Sequence, residues 1–291
     1  MKIELKLQQE FPPIFNGEKN IYEPTIVMDC NGCILLWYLP GIFPEETQAD
    51  LFQSLQSLEK SMVIKPGSTS WRASEVHFQR KEEWLKPGNI TLSPAWFQQA
   101  HESSLQRTNK LEISQGLRNS RTVKWVEANS DKFALAGAVL SIMQPGLYDV
   151  SCQTLDLISK APQMIHHQEQ LQEILRIWSS PYTVINIISN RQTPVHRDNG
   201  TFYAALDTLL SVGSYKEGVF HLPSLGIKLA YPPGTMIGMA SRVLPHAASF
   251  EGNRACLAFY TRQNVMEKLG VLCPDWANVD NIIRQAKEIH S

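Results

Sequence analysis

The chain lacks any hydrophobic run long enough to cross a membrane. Its longest nearly apolar stretch covers residues 133–143, well short of the ~20 residues that a spanning helix needs. Residues 1–6 carry charges where a secretory signal would need an apolar region. We therefore expect a soluble, intracellular protein without a membrane partner.

Cysteine is also scarce. The five cysteines are odd in number and scattered, which argues against a disulfide framework. Cys30 and Cys33 form a Cys-x-x-Cys pair, but no second pair completes a zinc site. Because Asn31-Gly32 separates two apolar runs, the sequence favours a β-hairpin turn there over a metal or redox motif.

An excess of positive charge is missing as well. With 27 basic and 28 acidic residues the formal charge is −1, unlike the basic domains that commonly bind nucleic acids. A local patch can still supply phosphate contacts. Residues 63–92 interleave basic and aromatic side chains, which suits either a nucleic-acid-facing loop or a solvated surface loop. A second basic stretch covers residues 107–124.

The composition that remains is that of an ordinary globular protein, with 43% hydrophobic and 19% charged residues. Apolar residues at helical spacing predict helices over 45–62, 129–143, 163–178 and 280–290. His166 and His167 fall within the third of these. Adjacent side chains on a helix diverge by about 100°, so we expect this pair at the surface rather than on one shared metal.

Strand signals dominate residues 21–43 and 182–262, where short apolar runs alternate with glycine and proline turns. Helices followed by a set of strands predict one α+β domain. We expect an N-terminal extension over 1–20, a single domain over 21–270 with its barrel core at about 182–265, and a C-terminal helical segment over 271–291.

The strongest functional signal is the sequence His196-Arg197-Asp198, followed by His246 and Arg254. Alternate residues of a strand point to one side, so the histidine and aspartate of the first motif project together. Two imidazoles and a carboxylate can bind one face of Fe(II) and leave the other face open. A His-x-Asp motif alone is weak, since a histidine at a strand end often lies at the surface. The joint pattern favours a metal site.

Arg254 opens an alternating run, 254–262, that reads as a strand with one buried face. A charged residue on such a face needs a partner, and an acidic cosubstrate would provide one. Cys256 lies on the same strand face, where we expect it to line the barrel near that cosubstrate.

Residues 182–265 resemble the double-stranded β-helix (jelly roll) of 2-oxoglutarate oxygenases, and more narrowly the TET/JBP group that oxidises methylated pyrimidine bases. The segments that carry the resemblance are 195–199, 217–222, 231–235 and 254–260. The segment 37–40, which reads Trp-Tyr-Leu-Pro, and the helix predicted after it resemble the same region of short, single-domain TET-like enzymes of protists and fungi.

The resemblance implies that His196, Asp198 and His246 hold Fe(II). It also implies that Arg254 pairs with the far carboxylate of 2-oxoglutarate, a task for which a bidentate arginine is well suited. Dioxygen would be the second cosubstrate.

The resemblance further implies substrate contacts. Arg191 stands where similar enzymes place an arginine that contacts the target base, although it could instead bind the protein's own backbone. Tyr260 stands where they place an aromatic that stacks on a flipped base, although it could be core packing. Two positions depart from the pattern: Thr201 replaces an acid that can accept from the cytosine amino group, and Arg262 replaces a histidine. The departures leave the base in doubt.

The sequence therefore predicts an Fe(II)/2-oxoglutarate-dependent dioxygenase that oxidises the methyl group of a methylated nucleobase, with 5-methylcytosine in DNA first. The alternatives are N6-methyladenine or another methylated base in DNA or RNA, the same chemistry on a small molecule or protein side chain, and a non-catalytic binding module. We expect a monomer that acts in the nucleus on DNA rather than RNA.

Overall fold

The computed structural model describes residues 19–65, 67–68, 70–79, 84–97, 111–166 and 168–289, with the side chains of 285–289 left out. Residues 1–18 of the predicted N-terminal extension, His167 and residues 107–110 of the basic stretch lie outside these residues. Among the helices that are described, none combines the length and apolarity needed to cross a membrane.

Most strands form one large sheet. The strands are β1 Lys19–Ile21, β2 Thr25–Met28, β3 Ile34–Leu39, β4 Gly88–Leu92, β5 Leu111–Glu112, β6 Ile165–His166, β7 Val184–Ser189, β8 Thr193–His196, β9 Asp207–Leu222, β10 Ile227–Ala230, β11 Thr235–Met239 and β12 His246–Tyr260. The order across the large sheet is β2-β3-β11-β9-β12-β7-β4, with β10 also pairing β9, β1 pairing β10, and β8 pairing β12. The strands β5 and β6 form a separate parallel pair.

The helices lie mainly between the hairpin and the barrel strands in sequence. They are α1 Glu45–Ser54, α2 Ser120–Ala128, α3 Ser130–Met143, α4 Pro145–Lys160, α5 Leu171–Ile177, α6 Gln263–Lys268 and α7 Val279–Ile289. Short 3₁₀ helices cover Leu55–Ser61, Glu75–His77, Gln115–Arg118, Pro162–Met164, Gln168–Gln170 and Pro223–Leu225. The predicted α+β class with a jelly-roll sheet is confirmed, and the fold comparison below bears it out.

Several predicted elements are confirmed at close to their expected bounds. The N-terminal hairpin is β2 and β3, which pair from Thr25 opposite Tyr38. Asn31-Gly32 lies in its turn, where Gly32 has a φ of 78°. The helix predicted over 45–62 begins at Glu45 and continues after Ser54 as a 3₁₀ helix.

One helix prediction was wrong over its first part, and the sequence also left a long helix unpredicted. The helix expected over 163–178 is only α5, because Ile165 and His166 pair in parallel with Leu111 and Glu112 instead. The helix α4 was missed. Its Pro145-Gly146 start resembles a turn, but proline is tolerated at the first position of a helix because its missing N–H has no intrahelical partner there.

β12 shows how the sheet separates two environments. Ala255, Leu257 and Phe259 belong to the core that the helices cover. The alternate residues of the same strand, among them Cys256 and Ala258, line a cavity on the other face. The period-two pattern of the sequence therefore directs core residues to one side of this strand and cavity-lining residues to the other.

Close backbone approach between β9 and β12 depends on a glycine. Gly213 pairs with Arg254 and has a φ of +146°. A Cβ at this position would lie 2.3 Å from the backbone oxygen of Asn253, so an L side chain would strain the backbone and push β12 away.

We predict that Gly213→Ala lowers the free energy of unfolding by about 1–3 kcal/mol, measured by urea denaturation. Gly146→Ala is the matched control: it lies in α4, its Cβ would meet only Pro274 Cβ at 3.9 Å, and alanine favours a helix over glycine. Equal stability of wild type and Gly213→Ala would contradict the importance of this close approach.

Candidate metal and cosubstrate site

Strand pairing brings the three candidate ligands together. His196 ends β8 and His246 begins β12, and the two residues are partners in the antiparallel register. Asp198 follows two residues after His196, and its backbone N–H donates to the Ser241 carbonyl at 3.2 Å. The histidines are therefore neighbours although 50 positions separate them in sequence.

The geometry of the three side chains suits a metal ion. Their candidate ligand atoms all lie within 4.8 Å of one another, and each imidazole Nε2 lies 3.7 Å from an oxygen of Asp198. Nδ1 of His196 donates to the Pro194 carbonyl at 2.9 Å, and Nδ1 of His246 donates to the Leu244 carbonyl at 3.0 Å. These bonds fix the tautomer that leaves each Nε2 lone pair facing Asp198.

The charge states also suit a metal ion. Burial, reinforced by the neighbouring His196, lowers the pKa of His246 to about 4, so its imidazole is neutral at physiological pH. Burial alone would raise the pKa of Asp198, but the two histidines and Arg72 hold it well below its usual range. Two neutral imidazoles and an ionised carboxylate are the donor set of a non-haem Fe(II) centre.

Trp71 and Arg72 close over this centre from the segment between α1 and β4. The Arg72 guanidinium forms an ion pair with Asp198 Oδ1 at 2.6 Å. The Trp71 ring lies 4.4 Å from the ring centroid of His196. Both residues belong to the segment 63–92, for which the sequence allowed either a nucleic-acid-facing or a solvated loop. This part of the segment therefore contacts the candidate metal ligands.

Arg254 is a buried cation without an anionic partner among the described residues. It is 4% exposed, and its Nε donates to Ser211 Oγ at 2.8 Å. Its guanidinium carbon lies 4.7 Å from the ring centroid of Tyr231 and 5.3 Å from that of Phe250. Since a desolvated charge needs compensation, the position suits the carboxylate of a bound ligand.

A strained turn connects Arg254 with Arg191. Asn190 has a φ of 51°, and its backbone N–H and side-chain Oδ1 bond the backbone oxygen and N–H of Arg254 at 2.7 and 2.8 Å. Arg191 follows directly, and its Nη1 donates to the Arg72 carbonyl at 3.0 Å. Its Nε is buried and has no partner among the described residues. Burial lowers the pKa of Arg191 to about 10.

One cavity of about 1200 Å³ joins these groups. Besides the three candidate metal ligands, the residues that line it include Arg191, Thr201, Asp207, Arg254, Cys256, Tyr260 and Arg262. Pockets for small molecules commonly measure about 300–1,000 Å³. The cavity therefore has room for a second molecule beside a cosubstrate as small as 2-oxoglutarate.

The side chains at the candidate substrate end are partly engaged with each other. The Arg262 guanidinium lies 5.7 Å from the Trp96 ring centroid and beside the Tyr260 hydroxyl. Thr201 is buried, and its hydroxyl donates to Asp207 Oδ2 at 3.4 Å. All four positions that were predicted to contact a substrate line the cavity.

Other sequence candidates have different surroundings. Arg118 forms an ion pair with Glu112 at 2.5 Å and donates to the Ile113 carbonyl, so this member of the second basic stretch supports local structure. His166 is exposed and lies on β6 rather than on a helix. Lys60 and Lys65 line the cavity.

A jelly-roll sheet with two histidines and an aspartate at one end defines a class, the non-haem iron oxygenases. The model of one family, Tet_JBP, described as the oxygenase domain of the 2OGFeDO superfamily, matches residues 93–263, more than half of the chain. The chain belongs to this TET/JBP family. It is a 2-oxoglutarate-dependent dioxygenase, and its cofactors are Fe(II) and 2-oxoglutarate.

One solved structure, NgTET1, agrees with the fold. NgTET1 in complex with 5mC DNA is similar over 98% of this chain and 96% of its own, at 15% identity and a TM-score of 0.57. OsALKBH1 has 12% identity over 82% and 100% of the two chains, with a TM-score of 0.35. A 2OG-Fe(II) oxygenase family oxidoreductase from Burkholderia pseudomallei has 16% identity over 34% and 60%, with a TM-score of 0.24. No curated protein sequence matches this chain.

Sequence reasoning missed several residues of the site. Asp207 and Phe250 lie in strands and Tyr231 directly follows β10, and the local sequence pattern shows only that these residues are buried. Trp71 and Arg72 lie in the segment 63–92, where basic and aromatic residues are interleaved. No spacing rule connects Arg72 with Asp198, which lies 126 positions further along the chain. For Asp207 the only signal is an acidic residue shortly before the apolar pair Leu209 and Leu210.

We predict that Arg254→Lys raises the dissociation constant of 2-oxoglutarate about 10–100-fold, because lysine loses the planar fork that binds a carboxylate bidentately. Calorimetric titration with Mn(II) in place of Fe(II) measures this without turnover. Arg176→Lys, on the exposed side of α5, is the control. An unchanged affinity in Arg254→Lys would remove Arg254 from the cosubstrate site.

A second prediction concerns pH and Asp207. Burial, and then the charge of Asp198, raise the pKa of this carboxyl to about 8. The folded, metal-free protein thus keeps a proton that the unfolded chain has released above about pH 4. Stability should therefore fall as pH rises from about 4 to 8.

Urea denaturation of chelator-treated protein at pH 5 and pH 8.5 tests this effect. Asp207→Asn should lose less stability than wild type over this interval, whereas the exposed control Asp156→Asn should behave as wild type. An identical loss in wild type and Asp207→Asn would show that Asp207 does not titrate in this way.

Proposed function

We propose that this dioxygenase oxidises the methyl group of a methylated nucleobase, with 5-methylcytosine in DNA as the first candidate. The observation that carries the proposal is the single cavity of about 1200 Å³ that joins His196, Asp198 and His246 to a wall containing Tyr260 and Arg262. An aromatic ring beside polar side chains is a suitable surface for a flipped base. The fold shared with NgTET1, whose structure contains 5mC DNA, supports this choice of substrate.

In this proposal His196, Asp198 and His246 hold Fe(II). When bound, the iron and 2-oxoglutarate supply the oxidation of a substrate C–H bond by dioxygen, with conversion of 2-oxoglutarate to succinate. The residues themselves contribute geometry and charge. The two Nδ1 bonds keep the imidazoles oriented, and the ionised carboxylate neutralises part of the metal charge.

Arg254 binds the far carboxylate of 2-oxoglutarate. Ser211 fixes the guanidinium orientation by accepting a hydrogen bond from Nε. Tyr231 and Phe250 cover the guanidinium faces and exclude water, so the charge-assisted bond forms in a low-dielectric setting. Cys256, two residues after Arg254 on the same strand face, lines the same cavity, and in this proposal it packs beside the cosubstrate.

Tyr260, Arg262, Thr201 and Arg191 receive the base. The Tyr260 ring provides a stacking surface, and the unpartnered Nε of Arg191 provides a donor. Lys60 and Lys65, at the rim of the cavity, suit contact with the phosphate backbone beside the flipped nucleotide. With nuclear DNA as its substrate, the protein would act in the nucleus.

Mass spectrometry of nucleosides tests the proposal. We expect wild-type protein with Fe(II), 2-oxoglutarate and dioxygen to convert 5-methylcytosine in duplex DNA into 5-hydroxymethylcytosine, and His196→Ala to give at least about 100-fold less product because a metal ligand is missing. His166→Ala, a histidine exposed on β6, should retain activity.

The same experiment includes DNA and RNA carrying N6-methyladenine and other methylated bases. Product from one of these alone would keep the nucleobase chemistry but change the base. Succinate formation that no methylated nucleic acid stimulates would contradict the proposed substrate class and favour a small molecule or a protein side chain.

A further inference from the structure

Asp207 is a buried carboxylate that the metal and cosubstrate sites do not use. It is the first residue of β9, is 5% exposed and lines the same cavity as the candidate metal ligands. The buried Gln144 holds the preceding segment in place, because its Nε2 donates to the Ala204 carbonyl and its Oε1 accepts from the Leu206 N–H. The position of Asp207 is thus fixed before any ligand binds.

The two oxygens of Asp207 have different surroundings. Oδ2 accepts hydrogen bonds from the hydroxyls of Ser241 and Thr201. Oδ1 is buried and has no hydrogen-bond partner among the described residues. A buried acceptor without a donor is unfavourable by about 1–3 kcal/mol, and each such atom in a folded protein calls for an explanation.

The bond between Thr201 and Asp207 also determines how Thr201 can act. Its hydroxyl has a single proton, which is donated to Asp207 Oδ2. The backbone of Thr201 is held as well, because Arg242 Nη1 donates to the Thr201 carbonyl at 2.8 Å. The lone pairs of the Thr201 hydroxyl therefore remain as acceptors at the cavity wall.

We propose that Asp207 and Thr201 together form an acceptor site that selects a methylated base carrying an amino N–H donor. The inference rests on the proposed function, because it specifies which bases the same cavity takes. Arginines 191, 254 and 262 supply donors in the cavity, and the Asp207–Thr201 pair supplies the complementary acceptor in the wall of the same cavity, which Tyr260 also lines.

The electrostatics are consistent with this role. In the empty cavity, burial and the charge of Asp198 raise the pKa of Asp207 to about 8. A substrate N–H would favour the ionised form by hydrogen bonding to it. A carbonyl oxygen at the same place would meet the lone pairs of the Thr201 hydroxyl and would not favour the ionised form of Asp207.

5-Methylcytosine and thymine allow the N–H donor and the carbonyl oxygen to be compared, because both bases carry the same methyl group. They differ at the neighbouring ring carbon, where cytosine has an amino donor and thymine has a carbonyl acceptor. A site built around a hydrogen bond rejects an analogue that cannot form it far more strongly than a hydrophobic pocket rejects a change in size.

The test compares kcat/KM for two DNA duplexes that differ only in a central 5-methylcytosine–guanine or thymine–adenine pair, with the hydroxymethyl products measured by mass spectrometry. Wild type should prefer 5-methylcytosine by at least about 100-fold. Asp207→Asn, which presents an amide donor, should reduce this preference at least about tenfold. Differences in opening the two base pairs cancel when wild type and variant are compared.

Thr201→Val is the second variant, since it removes the hydroxyl but keeps the shape of the side chain. It should also reduce the preference, while Asp156→Asn on the exposed face of α4 should leave it unchanged. Circular dichroism and Mn(II) binding identify a variant that fails to fold, in which case the wild-type preference and Thr201→Val decide the question.

The possible results distinguish the two proposals. Equal use of both duplexes by wild type, or a preference that neither variant changes, overturns the acceptor site and leaves the proposed function standing. Absence of product from every methylated base, with succinate still formed from 2-oxoglutarate, overturns the proposed function and this inference with it.

Discussion

The register of β12 is the constraint on which the site depends. One strand carries His246 at its start and Arg254 further along, while its partners β8 and β9 supply His196 and Ser211. A slip of one residue would turn every side chain of this strand to the opposite face. Two features oppose such a slip: the pairing of Gly213 with Arg254, and the two hydrogen bonds between Asn190 and the backbone of Arg254.

The charged groups of the cavity are arranged so that ligands complete them. Asp198 has histidines and Arg72 nearby, and this arrangement favours its ionised form. Arg254 is enclosed by aromatic rings, and one oxygen of Asp207 has no donor in the part of the chain that the structure describes. Buried polar groups in such surroundings are unfavourable until a partner arrives, so the same features that reduce the stability of the empty protein favour binding of an anion and of an N–H donor.

The fold class and the main cluster could be predicted from the sequence because both depend on short-range periodicity. A period of two fixed the face of Arg254 and Cys256, and His196 and Asp198 share a side for the same reason. Asp207 could not be assigned a role, since its environment comes from Thr201, Ser241 and Gln144, which meet only through tertiary packing. The helix α4 was missed because Pro145-Gly146 has the composition of a turn as well as of a helix start.

The two faces of β12 have a consequence for how such an enzyme diversifies. Leu257 and Phe259 belong to the apolar core, whereas Ala258 and Tyr260 between and beyond them line the cavity. Substitutions on the cavity face leave the packed layer untouched. A substitution on the cavity face can therefore change what the cavity accommodates while the core that supports the strand stays the same.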